Sequence, residues 1–173
     1  MDKLIEYQIP YKGLSIGTHE YSFHADDKFF ADLQVETIRG GNLEIDFVLD
    51  KQSRLMQADI KIIGTLKLVC DRCLDAFDFD IDVDYNQIYK YGNSPENHND
   101  DIKYLGDDSF QLDVSELIME NVLLQIPIRK IHPDDANGNS TCKAEQLNLI
   151  DEYGKREQAD PRWNALKNIK FDD

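Results

Sequence analysis

The sequence predicts an α+β protein: predominantly an antiparallel β-sheet meander, curled toward a barrel, with one long packed helix and a short C-terminal helix. Three observations carry this. Four stretches between residues 33 and 91 alternate apolar and polar side chains. Short glycine-rich or polar breaks part them, as hairpin turns require. A single stretch, 111–128, shows helical spacing of its apolar residues instead.

Taken in order, LIEYQI (4–9) and EYSFHA (20–25) read as short strands, broken by Pro10, Gly13 and Gly17. In ADDKFFADL, Asp26 starts one helical turn, because its carboxylate can accept from the unpaired amides of a helix start. LQVETI (33–38), NLEIDFVLD (42–50), RLMQADIKIIGTLKLVC (54–70) and CLDAFDFDIDVDYNQIYKY (73–91) then form the meander. RGGN, KQS and the pair Asp71-Arg72 separate them.

The last two strands make the firmest element. Side chains on a strand alternate between faces, so Ala58, Ile60, Ile62, Leu66, Leu68 and Cys70 share one side. Cys73, Phe77, Phe79, Ile81, Val83 and Tyr85 share one side of the next strand. A two-residue loop at Asp71-Arg72 pairs Leu66 with Phe77, Ile62 with Ile81, Ile60 with Val83 and Gly64 with Phe79. A slip of one residue would turn one apolar set to water.

Residues 92–106 read as a flexible polar loop. The helix follows, with Asp113 and Glu116 as an acidic capping box and Pro127 as its stop. Val114, Leu117, Ile118, Val122, Leu123 and Ile126 form the face expected on the sheet. Residues 134–159 are polar and open to disorder. Asp160 caps a closing helix with Pro161 in its first turn and Trp163, Leu166 and Ile169 as a docking stripe. The 173 residues suit one domain.

Charge bounds the function. At a formal −15 the surface repels phosphate backbones and anionic membranes and attracts basic proteins. The first residues hold no apolar run of signal-peptide or membrane-spanning length. Three cysteines without an export signal fit a reducing cytosol. The protein is therefore expected in the cytoplasm.

Cys70 and Cys73 form a CxxC pair, and three chemistries compete for it. Structural zinc needs four ligands, and Cys70, Cys73, Cys142 and His132 supply them on paper, but no spacing enforces the set. A redox pair needs a thiolate at a helix N-terminus, whereas strand residues follow Cys73. The leading reading is two reduced thiols packed at the hairpin tip as small hydrophobes, with no metal and no cofactor. Asp78, Asp80, Asp82 and Asp84 form an acidic comb on the outer strand face, about 7 Å apart. Such a comb suits a basic partner or a solvated face. Calcium is disfavoured, since a straight strand spreads its ligands.

No glycine-rich phosphate loop, HExxH or GxSxG is present, and His19, His24, His98 and His132 are scattered in polar contexts. The expectation is a protein that binds rather than catalyses.

The blocks CDRCLDAF, LDVSELIMENVLLQIPI and DPRWNALKNI, in this order and spacing, resemble the large ribosomal RNA subunit accumulation family, also called YceD-like. Over about two thirds of the chain, the matching positions are Cys70, Arg72, Cys73 and Leu74, then Asp113, Glu120 and Pro127, then Asp160, Pro161 and Arg162. GLSIGTHEYSFHADDKFF is similar to the family's opening strands. The resemblance implies a bacterial-type, non-enzymatic factor for accumulation or maturation of large-subunit ribosomal RNA. Many members carry a cysteine-rich stretch between the helix and the terminal Asp-Pro-Arg. Only Cys142 stands there in this chain, which favours thiols without zinc. Because ribosomal RNA is polyanionic, contact through a basic partner such as a ribosomal protein is expected, with RNA contact indirect. Asp78, Asp80, Asp82, Asp84, Arg72, Arg162 and Trp163 are the candidate contact residues. Neither a membrane nor a small-molecule substrate is expected. The alternatives are a zinc- or thiol-dependent module at the CxxC tip, a hydrolase built from carboxylates, and an acidic sink for basic proteins.

Overall fold

Strict alternation of apolar and polar residues produces four long strands: β2 (Gly17–Ala25), β3 (Ile38–Lys51), β4 (Leu55–Val69) and β5 (Ala76–Tyr91). They run as an antiparallel meander in a computed structural model that describes residues 4–92 and 102–154. Short β6 (Ile102–Leu105) adds to β5 in parallel, giving the order β2-β3-β4-β5-β6. The sheet is mostly antiparallel, and it stays open rather than curling into a barrel. Its apolar face is covered by other elements, so closure is not needed to bury it.

Two elements provide that cover. Asp26 accepts hydrogen bonds from the amides of Lys28 (3.0 Å) and Phe29 (3.1 Å) and starts α1 (Asp27–Asp32), which buries Phe29 and Phe30. A two-stranded pairing of β1 (Gln8–Ile9) with β7 (Leu112–Asp113) leads into α2 (Val114–Gln125), where Asp113 accepts from the Ser115 amide at 2.9 Å. Leu117, Ile118 and Val122 of α2 are buried in one core with Leu43, Ile45 and Phe47 of β3, Ile62 and Leu66 of β4, and Ile81 of β5. Each such side chain stabilises the fold by roughly 1.5–3 kcal/mol relative to exposure.

The β4–β5 pairing corrects the expected register. Leu66 faces Phe79, Ile62 faces Val83, Ile60 faces Tyr85 and Gly64 faces Ile81. The turn occupies Cys70 to Asp75 rather than two residues, which moves every partner by two places. A two-place shift preserves strand parity, so the apolar faces still meet. Gly64 is needed for its other neighbour: at φ 152°, an added Cβ would overlap the Asn42 carbonyl oxygen of β3.

Other expectations change for local reasons. Gly40 and Gly41 do not turn a hairpin; they sit inside β3, where the register slips at a bulge. The Asp27 carboxylate accepts from the Gly41 amide at 2.9 Å and occupies the space a Gly40 side chain would need. Most of LQVETI is therefore a turn leading into β3, with Gln34 at φ 55°. Ile5–Tyr7 is a 3-10 turn, leaving only Gln8 and Ile9 of that segment as strand. β6 lies within the stretch read as a loop. Leu123 is exposed, since it lies at the rim of the helix face that meets the sheet. A helix, α3 (Ala144–Gly154), lies within the polar 134–159 segment. The closing helix expected from Asp160 onward lies outside the described residues. No helix among the described residues is long and apolar enough to cross a membrane.

Candidate functional site

The tip of the β4–β5 hairpin is a built structure. The Cys70 amide donates to the Asp75 carbonyl (2.8 Å), and the Leu74 amide donates to the Cys70 carbonyl (2.9 Å). To close this turn Leu74 takes a left-handed backbone, φ 63°, with its side chain 74% exposed. That conformation costs a side-chain-bearing residue roughly 1–2 kcal/mol.

Pro127 ends α2, and the chain returns along the tip. The Asp71 amide donates to the Lys130 carbonyl, and the Lys130 amide donates to Asp71 Oδ2, both at 2.7 Å. This pair sets His132 beside Cys73. Asp135 then accepts from the amides of Asn137 (2.9 Å) and Asn139 (2.8 Å), and a bridge between Asp134 and Ser140 closes the turn. The chain thereby doubles back and places Cys142 beside His132.

Four donor groups converge. Cys70 Sγ lies 3.7 Å from Cys142 Sγ, Cys73 Sγ lies 3.4 Å from His132 Nδ1, and Cys142 Sγ lies 3.6 Å from the same nitrogen. All four donor atoms lie within 4.8 Å of one another. The three sulfurs are buried, and none is in a disulfide. The set that the spacing did not enforce is enforced by the Asp71–Lys130 pairing and the Asp135 turn. One sequence signal pointed to it: PDDANGN between His132 and Cys142 is turn chemistry, which makes the flanking residues neighbours.

The electrostatics favour anionic sulfur at Cys70 and Cys142. Burial pushes the Cys70 thiol up, but the amides of Cys73 and Arg72 and the His132 ring outweigh it and bring it down to about 6. Burial also acts against the Cys142 thiolate, yet Ser140 and the Arg72 guanidinium hold that thiol below its ordinary value. His132 is raised: burial opposes its charge, and Cys70 and Cys142 more than compensate. Cys73 is raised, chiefly by burial. Arg72, a tip residue expected from the sequence to meet a partner, turns its guanidinium onto the cluster. Its Nε donates to Cys142 Sγ at 3.3 Å and its Nη2 to Ser140 at 2.8 Å.

A second feature lies on the outer face of the sheet. Asp78, Asp80, Asp82 and Asp84 of β5 are all exposed there. Glu44 and Asp46 of β3 and Asp59 of β4 extend the acidic face across two further strands. Lys67 stands opposite Asp78, and Lys61 opposite Asp84 at 3.8 Å, so anions outnumber cations among these residues. The surface is concave near β3 and β4, forming a groove of about 750 Å³ lined in part by Asp27, Glu44, Ile63 and Asp78.

Of the remaining matched positions, Glu120 accepts from Lys103 of β6 at 2.8 Å, tying α2 to the sheet edge. Asp160, Pro161, Arg162 and Trp163 lie outside the described residues. The model of the family described as large ribosomal RNA subunit accumulation protein YceD matches residues 58–170 and so covers the tip, the acidic strand and α2. The chain belongs to this YceD family. No curated protein and no solved structure matches it. The family's description assigns a role in accumulation of the large ribosomal RNA subunit.

Proposed function

We propose that this YceD-family chain is a cytoplasmic, non-enzymatic ribosome biogenesis factor that supports accumulation of large-subunit ribosomal RNA by holding a basic protein partner. The observation that carries this reading is the outer sheet face. Its β5 aspartates stand in one exposed row, and the facing strands add Glu44, Asp46 and Asp59. Fixed carboxylates on a rigid sheet attract a lysine- and arginine-rich surface, speed its encounter and repel a phosphate backbone. A protein at −15 releases no counterions from RNA over such a face, so contact with ribosomal RNA runs through the partner. Ile63, 46% exposed among these charges, gives the partner an apolar foothold.

The test is retention of purified large-subunit ribosomal proteins, and separately of ribosomal RNA fragments, on the immobilised full chain. Capture of one or more basic ribosomal proteins at low salt, weakening at moderate salt, is expected. Binding of the RNA fragments alone would overturn the charge argument. Equal capture of unrelated basic proteins would favour the acidic sink, without ribosomal specificity.

A further inference from the structure

The segment after α2 has almost no apolar anchor. None of residues 129–154 belongs to the main core, and α3 buries no residue. Its apolar attachment is a small satellite cluster of Cys70, Cys73 and Cys142, edged by Phe77, Ile131 and Leu147. Three thiols and an imidazole stand where such a cluster would ordinarily hold leucine or phenylalanine. Small substructures with this little buried surface are held by disulfides or by a metal. None of the three cysteines is in a disulfide, and the Cys70 and Cys142 sulfurs stand 3.7 Å apart, where a bond would bring them to about 2 Å.

The distances fit a metal. Tetrahedral zinc, with Zn–S bonds of about 2.3 Å and Zn–N bonds of about 2.0–2.1 Å, sets its sulfurs about 3.8 Å apart and each sulfur about 3.6 Å from the nitrogen. The Cys70 and Cys142 sulfurs are 3.7 Å apart, His132 Nδ1 is 3.4 Å from Cys73 and 3.6 Å from Cys142, and all four donor atoms lie within 4.8 Å of one another. We propose that Cys70, Cys73, Cys142 and His132 bind one Zn²⁺ as a closed Cys₃His structural site that clamps residues 129–154 to the hairpin tip. This inference is independent of the acidic-face reading.

Soft thiolates with one imidazole select zinc over harder cations, and four protein donors leave no open position for a substrate. Binding forms three Zn–S bonds and one Zn–N bond. It expels the thiol protons and the ion's water ligands, with no electron transferred. Three thiolates around one dication leave a net charge of minus one, and the Arg72 guanidinium against Cys142 offsets it. Amides of Arg72 and Cys73 directed at Cys70, and the Arg72–Ser140 bond, orient the ligands as an outer shell does.

The experiment uses the full chain, expressed and purified without an affinity tag under reducing conditions. Elemental analysis should find about one zinc per chain. Replacement by Co²⁺ should give the thiolate charge-transfer and intense d–d bands of a tetrahedral site. His132→Ala and Cys142→Ser should each weaken zinc binding by more than about 100-fold, beyond the range of an outer-shell change. His132→Cys should keep the tetrahedral spectrum with the shift of a fourth thiolate. Chelation of the wild-type protein should speed amide exchange in residues 129–154 and leave β3 to β5 protected. A folded protein with neither zinc nor the Co²⁺ bands would overturn the proposal. So would bands that survive both His132→Ala and Cys142→Ser, because the metal would then sit elsewhere.

Discussion

At the scale of single residues, two backbone positions carry testable consequences. Gly64 lies where β3 passes so close that a methyl group would overlap the Asn42 carbonyl. Gly64→Ala is expected to lose about 2–3 kcal/mol of unfolding free energy, the upper end of ordinary single substitutions, by urea denaturation. Leu74 presents the opposite case. It holds a left-handed backbone with an exposed side chain, so its own fold gains nothing from a leucine there. Backbone strain of this kind collects at functional positions. Leu74→Gly should leave stability unchanged or raise it by up to about 1 kcal/mol. If the side chain meets a partner, the same variant should complement a deletion strain less well than wild type; full complementation would assign Leu74 no such role.

At the scale of elements, the long alternating strands β2 to β5 and the helices started by Asp26 and Asp113 were legible in the sequence, because parity and caps are local properties. Asp26 and Asp113 each cap the helix they were expected to start. Asp113→Ala should therefore cost about 1 kcal/mol, measurable by thermal denaturation. What escaped was set by longer reach. The two-place register shift follows from the six-residue turn around Cys70 and Cys73, whose shape depends on Lys130 and His132 fifty-nine residues away. The Gly40–Gly41 bulge follows from Asp27 on a neighbouring helix. The four donors were named from the sequence as a set on paper, but their convergence was not foreseen for the same reason: they come from two separate turns, and only the PDDANGN turn between His132 and Cys142 hinted at their proximity. Asp71 joins those turns. Asp71→Ala should loosen residues 129–143 in amide exchange without altering the sheet, since β3 to β5 pair independently of it.

At the scale of the whole molecule, the chain separates two tasks. The inner sheet face, with α1 and α2, makes the core; the hairpin tip fastens the segment after α2; and the outer face is left to charge. This division explains why an acidic comb is tolerated on a central hairpin. On the exposed side of β5, Asp78 and Asp84 face Lys67 and Lys61 of β4 while Asp80 and Asp82 face Thr65 and Ile63, and the apolar parity beneath them is unbroken. Neutralising the comb should therefore leave the fold intact. The quadruple change of Asp78, Asp80, Asp82 and Asp84 to asparagine should shift the unfolding midpoint little, because exposed charges contribute weakly to stability. It should lower the association rate with a basic partner and flatten its salt dependence.

That quadruple variant also supplies the most direct test of the proposed function. Sucrose-gradient profiles would be recorded from a deletion strain complemented by wild type or by the asparagine variant at equal protein levels. The account predicts a large-subunit deficit in the deletion strain, restored by wild type and not by the variant. Full restoration by the neutralised chain, or a deletion strain with normal large subunits, would contradict it.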